Sequence, residues 1–300
     1  PAHEQSTGTA LRGVPELLEE VSMKKLMRVA AIAAAVALLP VAAQATPEED
    51  LQAFRDYYKE KFPDVPFEDY VNGSYALDSI ARENWLSIEE FPPYEPAIDE
   101  GDNLFHTPFK NGKTYADCFP DYKKGIRQNY PYFDAKTGQV KTLELEINEC
   151  RVKNGEEPLK YKKGHIASIS SYLAYLSRGK IFDIKIPNDP RAQAAYEAGR
   201  KFYFTKRGQL NLSCADCHVY SAGKNLRTEL LSPELGHPTH FPVYRSKWGE
   251  MGTLHRRYGG CNEQVRAKAF SPQGEEYRNL EYYMTYMSNG LPVNGPGARK

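Results

Sequence analysis

The chain has 300 residues, enough for one large or two medium domains. Hydrophobic residues make up 41% and charged ones 26%, an ordinary globular balance that can supply a real core. Lysine plus arginine equals aspartate plus glutamate, 39 against 39, which excludes the basic footprint a nucleic-acid binder needs.

In chain order, the first feature is a leader. From Met23 the chain reads MKKLMRVAAIAAAVALLPVAAQATPEED, with Lys24, Lys25 and Arg28 ahead of an apolar run from Val29 to Ala43. Ala43-Gln44-Ala45 is an A-x-A cleavage site, so residues 23–45 form a secretory signal peptide and the mature chain starts near Thr46. The apolar run, about 15 residues, falls short of the ~20 that a membrane span needs. No twin arginine precedes it, which points to general secretion. Residues 1–22 lie upstream of this leader, and Glu19-Glu20-Val21-Ser22 directly precedes Met23. Glu-Glu-Val can be encoded by a purine-rich stretch like a bacterial ribosome-binding site, so residues 1–22 read as translated leader DNA. No second long apolar run follows. The expectation is an exported periplasmic protein with no membrane span after processing, in a compartment where disulfides persist.

Beyond the leader an internal repeat organises the chain. Tyr172 to Gly179 (YLAYLSRG) resembles Tyr283 to Gly290 (YMTYMSNG), 111 residues later, and Cys150 falls on Cys261 at the same offset. Both stretches carry apolar residues at helical spacing and end in a glycine suited to a helix C-cap. Further back, Glu100 to Phe105 echoes Ala198 to Tyr203, and Cys118 then sets against Cys214. Pro187 to Pro190 supplies a linker, with Asp189 as N-cap and Pro190 at the first helical position. This predicts a mostly α fold of two tandem domains, roughly 47–187 and 188–300, with few stretches alternating like strands.

Cys214-Ala215-Asp216-Cys217-His218 is C-x-x-C-H, the attachment sequence of haem c. Its two thiols bond to haem as thioethers and its histidine ligates iron. A zinc site would want a second paired motif, and a thioredoxin-like site a βαβ setting; neither is present. In the first half the string reads Cys118-Phe119-Pro120-Asp121-Tyr122, placing Asp121 where the second thiol belongs and Tyr122 where the histidine belongs. That half is expected to have lost its haem site, leaving Cys118 and Cys150 to close a disulfide across the vacated pocket.

The distal iron ligand is open among Met251, Met284, Met287, His237, His240, His255 and Cys261. Met284 and Met287 align with Leu173 and Leu176, which marks them as core positions. Cys261 follows Arg256-Arg257-Tyr258-Gly259-Gly260. The two arginines favour thiolate, and the glycine pair allows close backbone approach to a haem face or an anion.

The stretch Asn111 to Cys118 (NGKTYADC), the CADCH site, Arg256 to Arg266 (RRYGGCNEQVR) and the closing helix with Gly290-Leu291-Pro292 together resemble one family. It is the SoxA subunit of the SoxAX cytochromes of sulfur oxidation, in its single-haem variety, and the likeness covers nearly the whole mature chain. The resemblance implies an L-cysteine S-thiosulfotransferase that joins thiosulfate oxidatively to a cysteine of a SoxYZ-type carrier protein. Electrons leave to a SoxX-type cytochrome subunit, the other half of a heterodimer. It further implies one covalent haem c on Cys214 and Cys217, with His218 as proximal ligand. Cys261 becomes the distal ligand and catalytic thiol, at times a persulfide, and Arg257 the residue that orients the anionic substrate. The alternative is a plain periplasmic electron-transfer cytochrome with a methionine or histidine distal ligand.

Overall fold

The computed structural model describes residues 45–300; the expectations for residues 1–22 and for the signal peptide fall on residues outside this range. Two helix pairs carry the architecture. Helix α1 (Pro47–Lys61) is followed by a 3₁₀ segment (Phe67–Ala76), α2 (Ser79–Glu89) and α3 (Glu95–His106). A hairpin of β1 (Tyr132–Asp134) and β2 (Gln139–Lys141) leads to α4 (Leu143–Lys153) and α5 (His165–Leu176). The second half begins with α6 (Pro190–Phe204) and a π-helical turn (Asp216–Tyr220), then the small hairpin β3 (Asn225–Leu226) and β4 (Glu229–Leu230). A 3₁₀ turn (His237–His240), β5 (Val243–Arg245), β6 (Glu250–Gly252), α7 (Leu254–Gln264), α8 (Glu275–Met287) and β7 (Gly297–Arg299) complete it. Strand β5 is central, antiparallel to β6 and parallel to β7.

The helix pairs α3/α5 and α6/α8 cross at glycines. A Cβ on Gly101 would lie 2.0 Å from the carbonyl oxygen of Ser168, and one on Gly199 would lie 2.0 Å from that of Asn279. Only glycine permits such contact between helix backbones. Ser168 and Asn279 stand 111 residues apart, so the same crossing is built twice. The offset recurs in the hairpins: Tyr132 opposite Lys141 in one half matches Val243 opposite Gly252 in the other. Thr142 and Thr253 cap α4 and α7, accepting from Leu145 N and Arg256 N respectively. Asp189 caps α6 with Pro190 inside its first turn, as expected. The hairpins themselves were not foreseen, because three-residue strands carry too little alternation to be read.

The halves exchange matching contacts. Gly179 N donates to Val293 O (2.9 Å) and Phe182 N to Leu291 O (3.0 Å); Gly290 N returns a bond to Phe182 O (2.9 Å) and Val293 N one to Lys180 O (2.8 Å). Thr142 Oγ1 donates to Gln273 Oε1 (2.7 Å), while Thr253 Oγ1 donates to Tyr161 O (2.8 Å). A shift of 111 residues carries each backbone bond onto its reciprocal, which is the signature of a pseudo-twofold relation. Among the described residues no helix is long and apolar enough to cross a membrane.

Candidate haem site and its thiol

Ser213 and Asp216 build the turn that presents the C-x-x-C-H. Asp216 Oδ2 accepts from both Ser213 N and Ser213 Oγ (2.8 Å each), and Asp216 N donates back to Ser213 Oγ (3.1 Å). This reciprocal cap satisfies the first free amides. The following π-helical turn, Asp216–Tyr220, is a geometry that recurs at functional sites.

The first half repeats this cap and so corrects the sequence alignment. Thr114 N donates to Asp117 Oδ2 (2.7 Å) and Ala116 N to Thr114 Oγ1 (3.2 Å), closing a capping box. By these matching caps Thr114-Tyr115-Ala116-Asp117-Cys118-Phe119 aligns with Ser213-Cys214-Ala215-Asp216-Cys217-His218. Cys118 is the counterpart of Cys217, not of Cys214. Tyr115 stands at the first thiol position and Phe119 at the histidine, in place of Asp121 and Tyr122. The expectation placed the cysteine three residues off because it allowed gaps where no cap was visible. Cys118 and Cys150 form the expected disulfide, with Cα atoms 6.1 Å apart. Around it Phe105 packs on Tyr115, Tyr122 and Tyr172, with centroids 5.7, 4.6 and 5.6 Å away, so aromatic rings fill this half's core.

The pseudo-symmetry maps Cys118 and Cys150 onto Cys217 and Cys261. Cys214, Cys217 and Cys261 are free thiols, and the charge of Cys261 is felt at both of the others. Burial pushes the Cys214 thiol up to about 12, with Cys261 adding and Arg207 opposing. Cys217 is also raised, by burial and then by Cys261, against the pull of Arg257. Both stay neutral thiols near pH 7, the form in which S–H adds across a vinyl group.

His218 donates from Nδ1 to Ser232 O (2.9 Å), which fixes the tautomer and leaves the Nε2 lone pair for a metal. Burial pushes its pKa down to about 4; the bond to Ser232 opposes the shift and the charge of Arg257 adds to it. Helix α1, to which the sequence assigned no role, clamps this segment from behind. Tyr58 Oη donates to His218 O, Tyr57 Oη to Val219 O (3.1 Å) and Lys61 Nζ to Tyr220 O (3.0 Å). The aromatic spacing of Phe54, Tyr57 and Tyr58 was the available signal. The His237 ring packs edge-on against His218, centroids 4.5 Å apart, and its Nε2 pairs with Ser232 Oγ at 2.7 Å.

Helix α7 carries Cys261 and Arg257; residue chemistry alone treated its two arginines alike, and the family resemblance singled out Arg257. The structure separates them. Arg256 is committed, bonding Glu250 Oε1 (3.2 Å) and lying 4.3 Å over the Trp248 ring. The Arg257 side chain has no ion pair or hydrogen bond among the described residues, yet its charge is felt at His218 and Cys217. Of the other ligand candidates, Met251, Met284, Met287 and His255 are engaged elsewhere, whereas His240 keeps a buried Nδ1 without a partner. Met251 is 6% exposed in a cluster with Tyr94, Ala167 and Ala298; Met284 Sδ accepts from Tyr258 Oη (3.2 Å), and Met287 is fully buried. His255 Nδ1 accepts from Gln273 N (2.9 Å) and its Nε2 lies 3.1 Å from Glu281.

The residues present fit haem c. Two neutral thiols and an imidazole with a free Nε2 stand at the attachment spacing, with a third sulfur beside them. A Cβ on Gly260 would meet no atom within 4 Å beyond its chain neighbours and its own helix backbone, so a helical glycine next to Cys261 faces room rather than a packed wall.

Residues 100–182 and 198–293 match the family described as SoxA/TsdA, cytochrome c domain. The two segments follow the two helix pairs. The chain is 62% identical over 262 residues to the L-cysteine S-thiosulfotransferase subunit SoxA of Allochromatium vinosum, covering 87% of this chain and 92% of that protein. The chain belongs to the SoxA family. The SoxA subunit of Chlorobaculum tepidum is 54% identical over 260 residues, covering 86% of this chain and 89% of its own length. Among solved structures, that of SoxXA from P. pantotrophus superposes with a TM-score of 0.67 at 30% identity, over 73% of this chain and 84% of the matched one. SoxA membership carries the cytochrome c fold in both halves and, with it, haem c as the cofactor.

Proposed function

We propose that this chain is the haem-thiolate subunit of an L-cysteine S-thiosulfotransferase, joining thiosulfate to a cysteine of a SoxYZ-type carrier protein. The observation that carries the reading is that the C-x-x-C-H thiols and His218 lie within electrostatic reach of the free thiol Cys261 and of the uncommitted guanidinium of Arg257. Cys214 and Cys217 would hold one haem covalently, with His218 proximal and Cys261 distal. The haem provides an exit for electrons. Tyr115 and Phe119, at the positions of Cys214 and His218, support loss of haem from the first half, and the disulfide there supports a periplasmic location. The domain boundary is placed at 187/188, in the Pro187–Pro190 linker ahead of α6.

The chemistry balances as two steps. The Cys261 thiolate bonds to the sulfane sulfur of thiosulfate, giving Cys261-S-S-SO₃⁻ as two electrons leave toward a SoxX-type cytochrome subunit. The carrier thiolate then attacks the sulfane sulfur. It takes the S-SO₃⁻ group, releases the Cys261 thiolate, and its own proton goes to solvent. Arg257 holds the sulfonate end, for which a guanidinium fork is suited. The plain electron-transfer reading needs a methionine or histidine ligand; Met251, Met284 and His255 are engaged elsewhere and His237 Nε2 pairs with Ser232 Oγ, which leaves that reading His240, whose Nδ1 has no partner.

In a reconstituted complex with its cytochrome partner and carrier protein, Cys261→Ala is expected to abolish thiosulfate-dependent cytochrome reduction. Activity retained in that variant would remove Cys261 from the mechanism.

A further inference from the structure

Helix α7 carries two stripes. Arg257 and Cys261, four residues apart, share a half-buried face, while His255, Tyr258 and Asn262 form a buried one. Apolar side chains would suffice to pack that face, yet each of the three residues meets α8 through a polar atom. Asn262 Nδ2 donates to Tyr277 Oη (2.9 Å), Tyr258 Oη donates to Met284 Sδ (3.2 Å), and His255 Nε2 lies 3.1 Å from Glu281 Oε2. Tyr277, Glu281 and Met284 share one face of α8. Asn262 Nδ2 also donates to Tyr258 O (2.9 Å), and Tyr277 Oη accepts a further bond from Phe270 N (3.2 Å). The Tyr277 hydroxyl thus ties down both the end of α7 and the chain that follows it.

The first half supplies the comparison. At the 111-residue offset Tyr258, Tyr277 and Met284 correspond to Ile147, Ile166 and Leu173, all fully buried in one apolar cluster. Asn262 corresponds to Arg151, whose Nη1 donates to Tyr115 Oη (3.2 Å) and not to α5. The same helix pair therefore packs in the first half without these polar rungs. Stability does not account for them in the second. Asn262 is 5% exposed and its Oδ1 is buried without a hydrogen-bond partner, a state that weakens a fold. What a polar rung adds over apolar contact is direction: it fixes the rotation and register of a helix that apolar side chains alone leave free to slide.

We propose that Asn262 is a positioning residue, which through its bond to Tyr277 locks the rotation of α7 and so sets the direction of Cys261 and Arg257. Asn262 follows Cys261 directly, so any turn of α7 about its axis that breaks the Asn262–Tyr277 bond displaces the thiol with it. The inference rests on the assignment of Cys261 to the chemistry and deepens it. In the first half Cys150, at the position of Cys261, is held covalently by Cys118 and needs no such lock. A free thiol that must meet its partners at a set place does.

The test uses the assembled complex with its cytochrome partner and carrier protein, and the variants Asn262→Leu, Tyr277→Phe and the two combined. Three readouts are taken: kcat and KM for thiosulfate, the electron paramagnetic resonance spectrum of the oxidised holoprotein, and the melting temperature. Each single variant is expected to lower kcat roughly 10- to 100-fold with KM within about threefold, because misplacement of a reacting group acts on the chemical step. Each should also broaden or split the histidine/thiolate signal. The double variant loses no more than the worse single one, since both residues act through one bond. A kcat within about twofold of the parent together with an unchanged signal overturns the lock, whether or not the melting temperature falls. Losses that multiply in the double variant overturn it too. Should Asn262→Leu fail to fold, Tyr277→Phe, which removes a single oxygen, carries the same test. A parent holoprotein without a histidine/thiolate signal would sink the assignment of Cys261, and this inference with it, before any variant is made, so the two failures are distinguishable.

Discussion

Cys118 shows what a residue's neighbours add to its identity. Its pairing with Cys150 follows from the repeat and the oxidising compartment, and the structure bears that out. Its register does not follow. Only the Thr114–Asp117 and Ser213–Asp216 caps reveal that it aligns with Cys217, the second cysteine of the C-x-x-C-H. A cap is a matter of two hydrogen bonds, and a spacing of residues cannot display it. The disulfide spans a sequence separation of 32, for which loop closure in the unfolded chain predicts a stabilisation of roughly 3–4 kcal/mol. The double variant Cys118→Ala/Cys150→Ala should lower the unfolding free energy by about that amount in denaturant titration while leaving the haem absorption spectrum unchanged. A changed haem spectrum would mean that the first half acts directly on the second half's site. At this scale the C-x-x-C-H was legible because its chemistry is written in residue type, whereas Cys261 and Arg257 were singled out by the family resemblance. What occupies Arg256 was not legible, since it depends on where Glu250 and Trp248 lie.

At the scale of elements the 111-residue offset was legible in the closing helices, because α5 and α8 present similar faces to similar partners. Their glycine crossings with α3 and α6 make a matched experiment. Gly101→Ala and Gly199→Ala each force a Cβ to within 2.0 Å of a backbone oxygen, so the helices must separate. Overpacking of this kind costs about 3 kcal/mol or more. Both variants should lose comparable stability in denaturant titration, and only Gly199→Ala should disturb the haem spectrum, since α6 and α8 frame the C-x-x-C-H while α3 and α5 do not. Equal effects on haem from both would contradict that division. Helix α1 went unread as a clamp because its bonds reach main-chain carbonyls about 160 residues away, and sequence carries no trace of which carbonyls those are.

At the scale of the whole molecule, the two halves meet through charge as well as through matching backbone bonds. Arg127 of the first half lies 3.7 Å from Glu281 of the second, and His255 stands 3.1 Å from the same carboxylate, all at 3% side-chain exposure or less. Glu144 is buried beside them, its carboxyl raised by burial and by Glu281 while Arg127 and His255 pull the other way. Buried charges of this sort fix a unique arrangement more than they add stability, which suits the proposed function, in which the second half would hold the Cys261 thiol at a set place. None of this was visible in the neutral charge sum, which hides where the charges sit. The account's central claim is that Cys261 is both the distal ligand and the reacting thiol, and the electron paramagnetic resonance spectrum of the oxidised holoprotein tests it most directly. A low-spin histidine/thiolate signal that disappears in Cys261→Ala is the predicted result; a histidine/methionine signal, or a thiolate signal that survives the substitution, would contradict it.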